Sequence, residues 1–207
     1  MIKALFLIFE PKMAWERAKE RSLKFTLFFY LVPMMAIVGF SEWFGLIKWG
    51  RWQPDIMRVK YFAWDEAATS EIVQMFLMTL IIFICAYFIK ALGETFHGRH
   101  TYKQTLTVVI YALSPIFLFR LLDLIPTITL WVPWALGILF VWKIIYSGVP
   151  LVMEPDPPHT FGLFFMSAFL ITAVTGVERF VAVGYLTGKF RPFAEAVHQI
   201  AHKLHLQ

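Results

Sequence analysis

Ionisable residues set inside long apolar stretches are the chemically informative positions of this sequence. Arg120 and Asp123 lie three residues apart late in one such stretch. On a helix that spacing places them on one face, where they can pair. Lys143 lies late in the next stretch, Glu42 late in the first, and Glu178-Arg179 interrupts the last after 17 apolar or small residues. Charges at membrane depth mark ion paths, substrate paths or binding sites. These residues therefore point to a polar path, or to a site for lipid headgroups or ions. The plainer alternative is side chains snorkelling from span ends, with local ion pairs.

Histidines form two groups, Glu94-x-x-His97-x-x-His100 and Glu195-x-x-His198-x-x-x-His202-x-x-His205. On a helix, His198, His202 and His205 share a face and could present three nitrogens to zinc. They fit equally well as the polar face of an amphipathic helix. The two groups fall on opposite sides of the membrane in the topology below, so they cannot build one dinuclear site. No bound metal or cofactor is expected. Hydrolase, phosphate-loop and metalloprotease motifs are absent. Ser114 precedes Pro115 and is read as satisfying carbonyls that the proline frees. The expectation is a protein that is not an enzyme.

These residues must be carried by helices in lipid. Of 207 residues, 59% are hydrophobic and 16% charged, against about 25% charged in ordinary soluble domains. That balance excludes a disordered chain, a collagen-like chain and an ordinary soluble enzyme. Five stretches approach the roughly 20 apolar residues needed to cross a bilayer: 25–47, 72–92, 106–122, 127–146 and 160–186. Uninterrupted apolar runs of this length are helices, because a barrel would alternate over about ten residues. The short link at 123–126 makes the third and fourth spans antiparallel neighbours. Pro33, Pro115 and Pro133 should kink their helices or mark first turns. The single cysteine, Cys85, excludes an internal disulfide. The six-residue apolar run at 4–9 is too short for a signal sequence, so this end is expected to be retained. No dense basic patch with interleaved aromatics suggests nucleic acid.

The expected fold is thus an all-α integral membrane protein with five transmembrane helices and short amphipathic helices at both ends. Residues 1–22 would form an interfacial helix, 23–187 the transmembrane domain and 188–207 an amphipathic tail. Loop 48–71, with Trp49, Trp52 and Trp64, is expected to carry a surface helix. Six basic residues, Lys3, Lys12, Arg17, Lys19, Arg21 and Lys24, precede the first span. They favour an N-terminus inside and, with five spans, a C-terminus outside.

The pattern resembles the Yip1 domain family of small five-span membrane proteins, in its compact prokaryotic form. Pro11-Lys-Met-Ala-Trp15 is similar to the family's opening proline followed by an aromatic. Gly93-Glu-Thr-Phe96 ahead of Tyr102-Lys-Gln-Thr-Leu resembles its polar link before span three. Tyr111-Ala-Leu-Ser-Pro115 resembles the Tyr-x-x-x-Pro within that span. Tyr146-Ser-Gly148-Val-Pro150 resembles the end of span four. The resemblance implies a cytoplasmic N-terminus and, for a prokaryotic-type member, a bacterial or archaeal cytoplasmic membrane. Eukaryotic members act in vesicle trafficking with small GTPases. This chain lacks their long N-terminal region and their Asp-Leu-Tyr-Gly-Pro motif, so a GTPase partner is not expected. The expected function is a scaffold, accessory subunit or lipid-interacting factor, with the bilayer, a membrane protein or a second copy as partner. The alternative is a small oligomeric transporter or channel.

Overall fold

The structure is a computed structural model that describes residues 11–96 and 100–189. The candidate ligands His198, His202 and His205, the expected C-terminal helix and His97 lie outside the described residues.

Helix α1 (Pro11–Glu20) opens on proline, whose missing N–H costs nothing in a first turn. Five long helices follow: α2 (Leu23–Lys48), α3 (Trp64–Thr95), α4 (Tyr102–Leu124), α5 (Trp131–Met153) and α6 (Pro157–Leu186). Each is long and apolar enough to cross a membrane. They match the five expected spans with longer ends. Five crossings put α1 on one side, the near side. The α2–α3 link, the α4–α5 link and the end of α6 lie on the far side.

Proline acts as expected, in three different ways. Pro33 follows a wide π turn at Leu27–Leu31. Pro115 restarts α4 after a break at Leu113. Pro133 sits in the first turn of α5. Thr101 and Gln104 form a reciprocal cap that starts α4.

The α2–α3 link differs from expectation. In place of a surface helix it carries a two-stranded antiparallel hairpin, β1 (Arg51–Gln53) and β2 (Arg58–Lys60). Met57 takes left-handed backbone angles (φ 49°) to turn it. Two tethers hold it against the bundle. The Arg51 guanidinium donates to the carbonyls of Asp123, Ile125 and Ile128 at 2.5, 3.3 and 3.1 Å, and Gln53 donates to the carbonyl of Leu186 at 3.2 Å. Strand pairing satisfies the link's own backbone groups, while its Arg51 and Gln53 side chains satisfy carbonyls at the ends of neighbouring helices.

Burial is uneven. In its most apolar window, 78% of α4 is buried, against 28% for α2 and for α6. Helix α4 is therefore the axis, and the other helices surround it. Phe117 on α4 and Val141 on α5 are completely buried in this core.

Candidate functional site

Two buried centres lie along α4, a near-side one around Tyr111 and Ser114 and a far-side one toward its end. The near-side centre is aromatic. Trp15 is fully buried, so α1 docks into the bundle rather than resting on lipid alone. Its ring meets Tyr111 edge-on at 5.9 Å, and Tyr111 meets Tyr30 at 4.6 Å. The Trp15 indole N–H donates to Ser147 Oγ at 3.1 Å. Tyr30 and Ser114 hydroxyls bond at 2.6 Å, and Ser114 also donates back to the Ile110 carbonyl. Gly148 leaves the space that Trp15 fills, since a β-carbon there would stand 2.4 Å from the indole. Pro150 follows in a wide π turn at Val149–Met153. The structure thus brings Trp15, Tyr111, Pro115 and Gly148 to one place, with Pro11 starting the helix that delivers Trp15. Lys19 on α1 also pairs with Glu154, just beyond α5.

The far-side centre is ionic and joins α2, α3, α4, α6 and the hairpin. Arg120 donates from Nε and Nη2 to the two Glu42 oxygens at 2.8 and 2.6 Å. Its Nη2 also donates to Gln74 Oε1 at 2.8 Å. Gln74 in turn donates to Glu71 at 3.2 Å. Arg179 holds both Asp123 oxygens at 2.7 Å and donates to the Leu130 carbonyl from Nε at 2.7 Å. Glu178 lies 4.0 Å from Arg120. All these side chains, with Arg51, are buried. Burial pulls the Arg51 guanidinium below its ordinary range, while Asp123 acts in the opposite direction.

Depth explains how lipid tolerates so many charges. A 32-residue α3 is about 48 Å long, and the hydrocarbon core is about 30 Å thick. Centred, α3 leaves about 9 Å, or six residues, beyond each boundary. Glu71, seven residues into α3, then sits near the junction of headgroups and acyl chains. Glu42, Arg120 and Arg179 lie within about two turns of the far-side ends of their own helices.

Arg120, Asp123, Glu178 and Arg179 therefore come together, but not in the expected pairing. Arg120 bonds to Glu42 through two nitrogens and Asp123 takes Arg179 Nη2 on both of its oxygens, because each finds a charge-assisted partner on another helix. That geometry is stronger than a local i,i+3 contact. Lys143 is not brought in: it is exposed on α5. Sequence reasoning noted Glu42 without a partner and missed Arg51, Glu71 and Gln74. The i,i+3 spacing of Glu71 and Gln74 at a span end was the available signal, obscured by assigning residue 71 to the loop. Among the described residues no group of three or more His, Cys, Asp or Glu could hold a metal.

Five apolar helices around a buried axis, with an aromatic and an ionic centre along it, define a multi-pass α-helical membrane protein. The chain belongs to the Yip1 domain family, whose model matches residues 5–177. No curated protein and no solved structure matches it.

Proposed function

We propose that this protein is a non-enzymatic scaffold or accessory subunit of a cytoplasmic membrane, with its near side and N-terminus in the cytoplasm. The supporting observation is how the far-side charges are used. Most of their hydrogen bonds go to one another, to Gln74 and to backbone carbonyls, and the space left among them is about 10 Å³, room for about one water at most. The centre locks helices together instead of lining a passage. Contact with partners then falls to the exposed surfaces. Trp49, Trp52, Tyr61 and Trp64 are exposed around the hairpin, the composition of an interfacial contact zone.

One observation favours the alternative of a transporter. Four transmembrane helices do contribute ionisable groups to one centre. Reconstitution distinguishes the two readings. Purified protein in sealed vesicles should give no protein-dependent flux of protons, monovalent cations or small anions. Mild extraction from the native membrane with native mass spectrometry should show a stoichiometric protein partner. Protein-dependent flux that is abolished by Arg120→Ala would overturn the scaffold reading.

A further inference from the structure

A second cavity adjoins the far-side centre. It is a cleft of about 540 Å³ between α2 and α3, lined by Met35, Gly39, Trp43, Trp64, Glu71 and Met75 among others. That volume lies within the range of small-molecule sites. Its walls are mostly apolar, with Trp43 and Glu71 at the far-side end and Thr79 toward the other. Both carry an unmet hydrogen-bonding atom: among the described residues the Trp43 indole N–H has no acceptor and Glu71 Oε2 has no N–H donor. Glu71 is 5% exposed, so an unmet carboxylate oxygen there is costly.

The charge balance indicates what is missing. Glu42, Glu71, Asp123 and Glu178 supply four carboxylates, and Arg51, Arg120 and Arg179 supply three guanidiniums. Three carboxylates have a guanidinium within 4.0 Å: Glu42, Asp123 and Glu178. Glu71 has the neutral Gln74 amide and the neighbouring Glu42 carboxyl group beside it, and no guanidinium within 4.0 Å among the described residues. The remaining need is for one positive, hydrogen-donating group beside Glu71 and one acceptor beside Trp43, at headgroup depth, with an apolar tail running between α2 and α3.

We propose that the α2–α3 cleft holds one phospholipid with a primary-ammonium headgroup. The ammonium donates to Glu71, the phosphodiester accepts from Trp43, and an acyl chain lies against Gly39 and Met75 toward Val32 and Thr79. From Trp43 to Val32 the cleft follows α2 for eleven residues, about 16 Å, a length suited to a chain and not to a free headgroup. This site does not depend on the scaffold reading, whose flux result would stand whichever lipid is bound.

The test is selective retention. Delipidated protein is mixed with vesicles of phosphatidylethanolamine, phosphatidylcholine and phosphatidylglycerol in equal parts, re-extracted in mild detergent and weighed by native mass spectrometry. Phosphatidylcholine is the informative competitor, because its quaternary ammonium keeps the charge and loses the N–H donors. The expected result is one phosphatidylethanolamine per chain, preferred about tenfold over phosphatidylcholine. Glu71→Gln should abolish that preference. Ala36→Phe, which fills the cleft without touching a charged residue, should release the lipid while thermal stability shows the variant folded. Equal retention of the two zwitterionic lipids by the wild type overturns the proposal. So does a preference that survives Glu71→Gln, or a lipid that stays bound in Ala36→Phe; the fourth carboxylate would then be balanced by a proton.

Discussion

Replacing Glu42 with alanine strands the most buried cation among the described residues. Arg120 is 2% exposed and loses two charge-assisted hydrogen bonds, at 2.8 and 2.6 Å. Each such bond is worth about 1.5–3 kcal/mol, for about 3–6 together. Breaking a buried ion pair from one side costs about 3–5 kcal/mol by direct comparison. The expected destabilisation is therefore about 3–5 kcal/mol, read from reversible denaturant unfolding in detergent micelles. The double variant Glu42→Leu/Arg120→Met removes both charges and should recover about 1–3 kcal/mol relative to the sum of the two single variants. Recovery stays partial because Gln74 and Glu178 lose their guanidinium partner. A cost for Glu42→Ala below about 1 kcal/mol, the range of an exposed pair, or strict additivity in the cycle, would refute the view that this centre is sealed and cooperative.

Other perturbations address the remaining contacts. Arg120→Glu should be rescued by Glu42→Arg and not by Asp123→Arg, with folded yield and melting temperature as the readout; rescue through Asp123 would restore the local i,i+3 pairing. Gly148→Ala should undock α1, lowering the melting temperature and speeding tryptic cleavage after Arg17 and Arg21, because the new methyl collides with Trp15. Ser114→Ala should cost about 1–3 kcal/mol by leaving the buried Tyr30 hydroxyl without its partner, and Tyr30→Phe in the same background should recover part of it. His100, buried against Gly93, is held below the ordinary imidazole range by desolvation and by Lys90, with Glu94 opposing. The unfolded chain then takes up the proton more readily than the folded one, so stability should fall as pH drops through about 6.5. His100→Gln should flatten that pH dependence.

The helices were legible because hydropathy is a local property. A run such as 72–92 declares itself without reference to the rest of the chain, and Pro33, Pro115 and Pro133 each act through their own backbone. The family motifs were legible as spacing: Trp15, Tyr111 and Gly148 could be singled out, but not the fact that they touch. Partner choice is a property of the assembled bundle. Glu42 and Arg120 are 78 residues apart and Asp123 and Arg179 are 56 apart, so the competition between a neighbour on the same helix and one on another was invisible. The hairpin was missed for a related reason. Its strands have three residues each and are held by Arg51 and Gln53 reaching carbonyls on distant segments. Gly50, which takes φ 68°, and Pro54, which opens the turn between the strands, were the local hints of a reversal.

The position of the two arginine–carboxylate pairs along the chain also dictates an order of birth. A polypeptide emerges N-terminus first. When α4 leaves the ribosome, Glu42 is already in place on α2, so Arg120 enters the bilayer with its counter-ion waiting. Asp123 has no such provision: its partner Arg179 is 56 residues away and still unmade. The nascent chain must keep that carboxylate near water until α6 arrives. Insertion of the last helix is thus the event that gives Asp123 its counter-ion, and a chain halted after α5 would carry that carboxylate without its guanidinium.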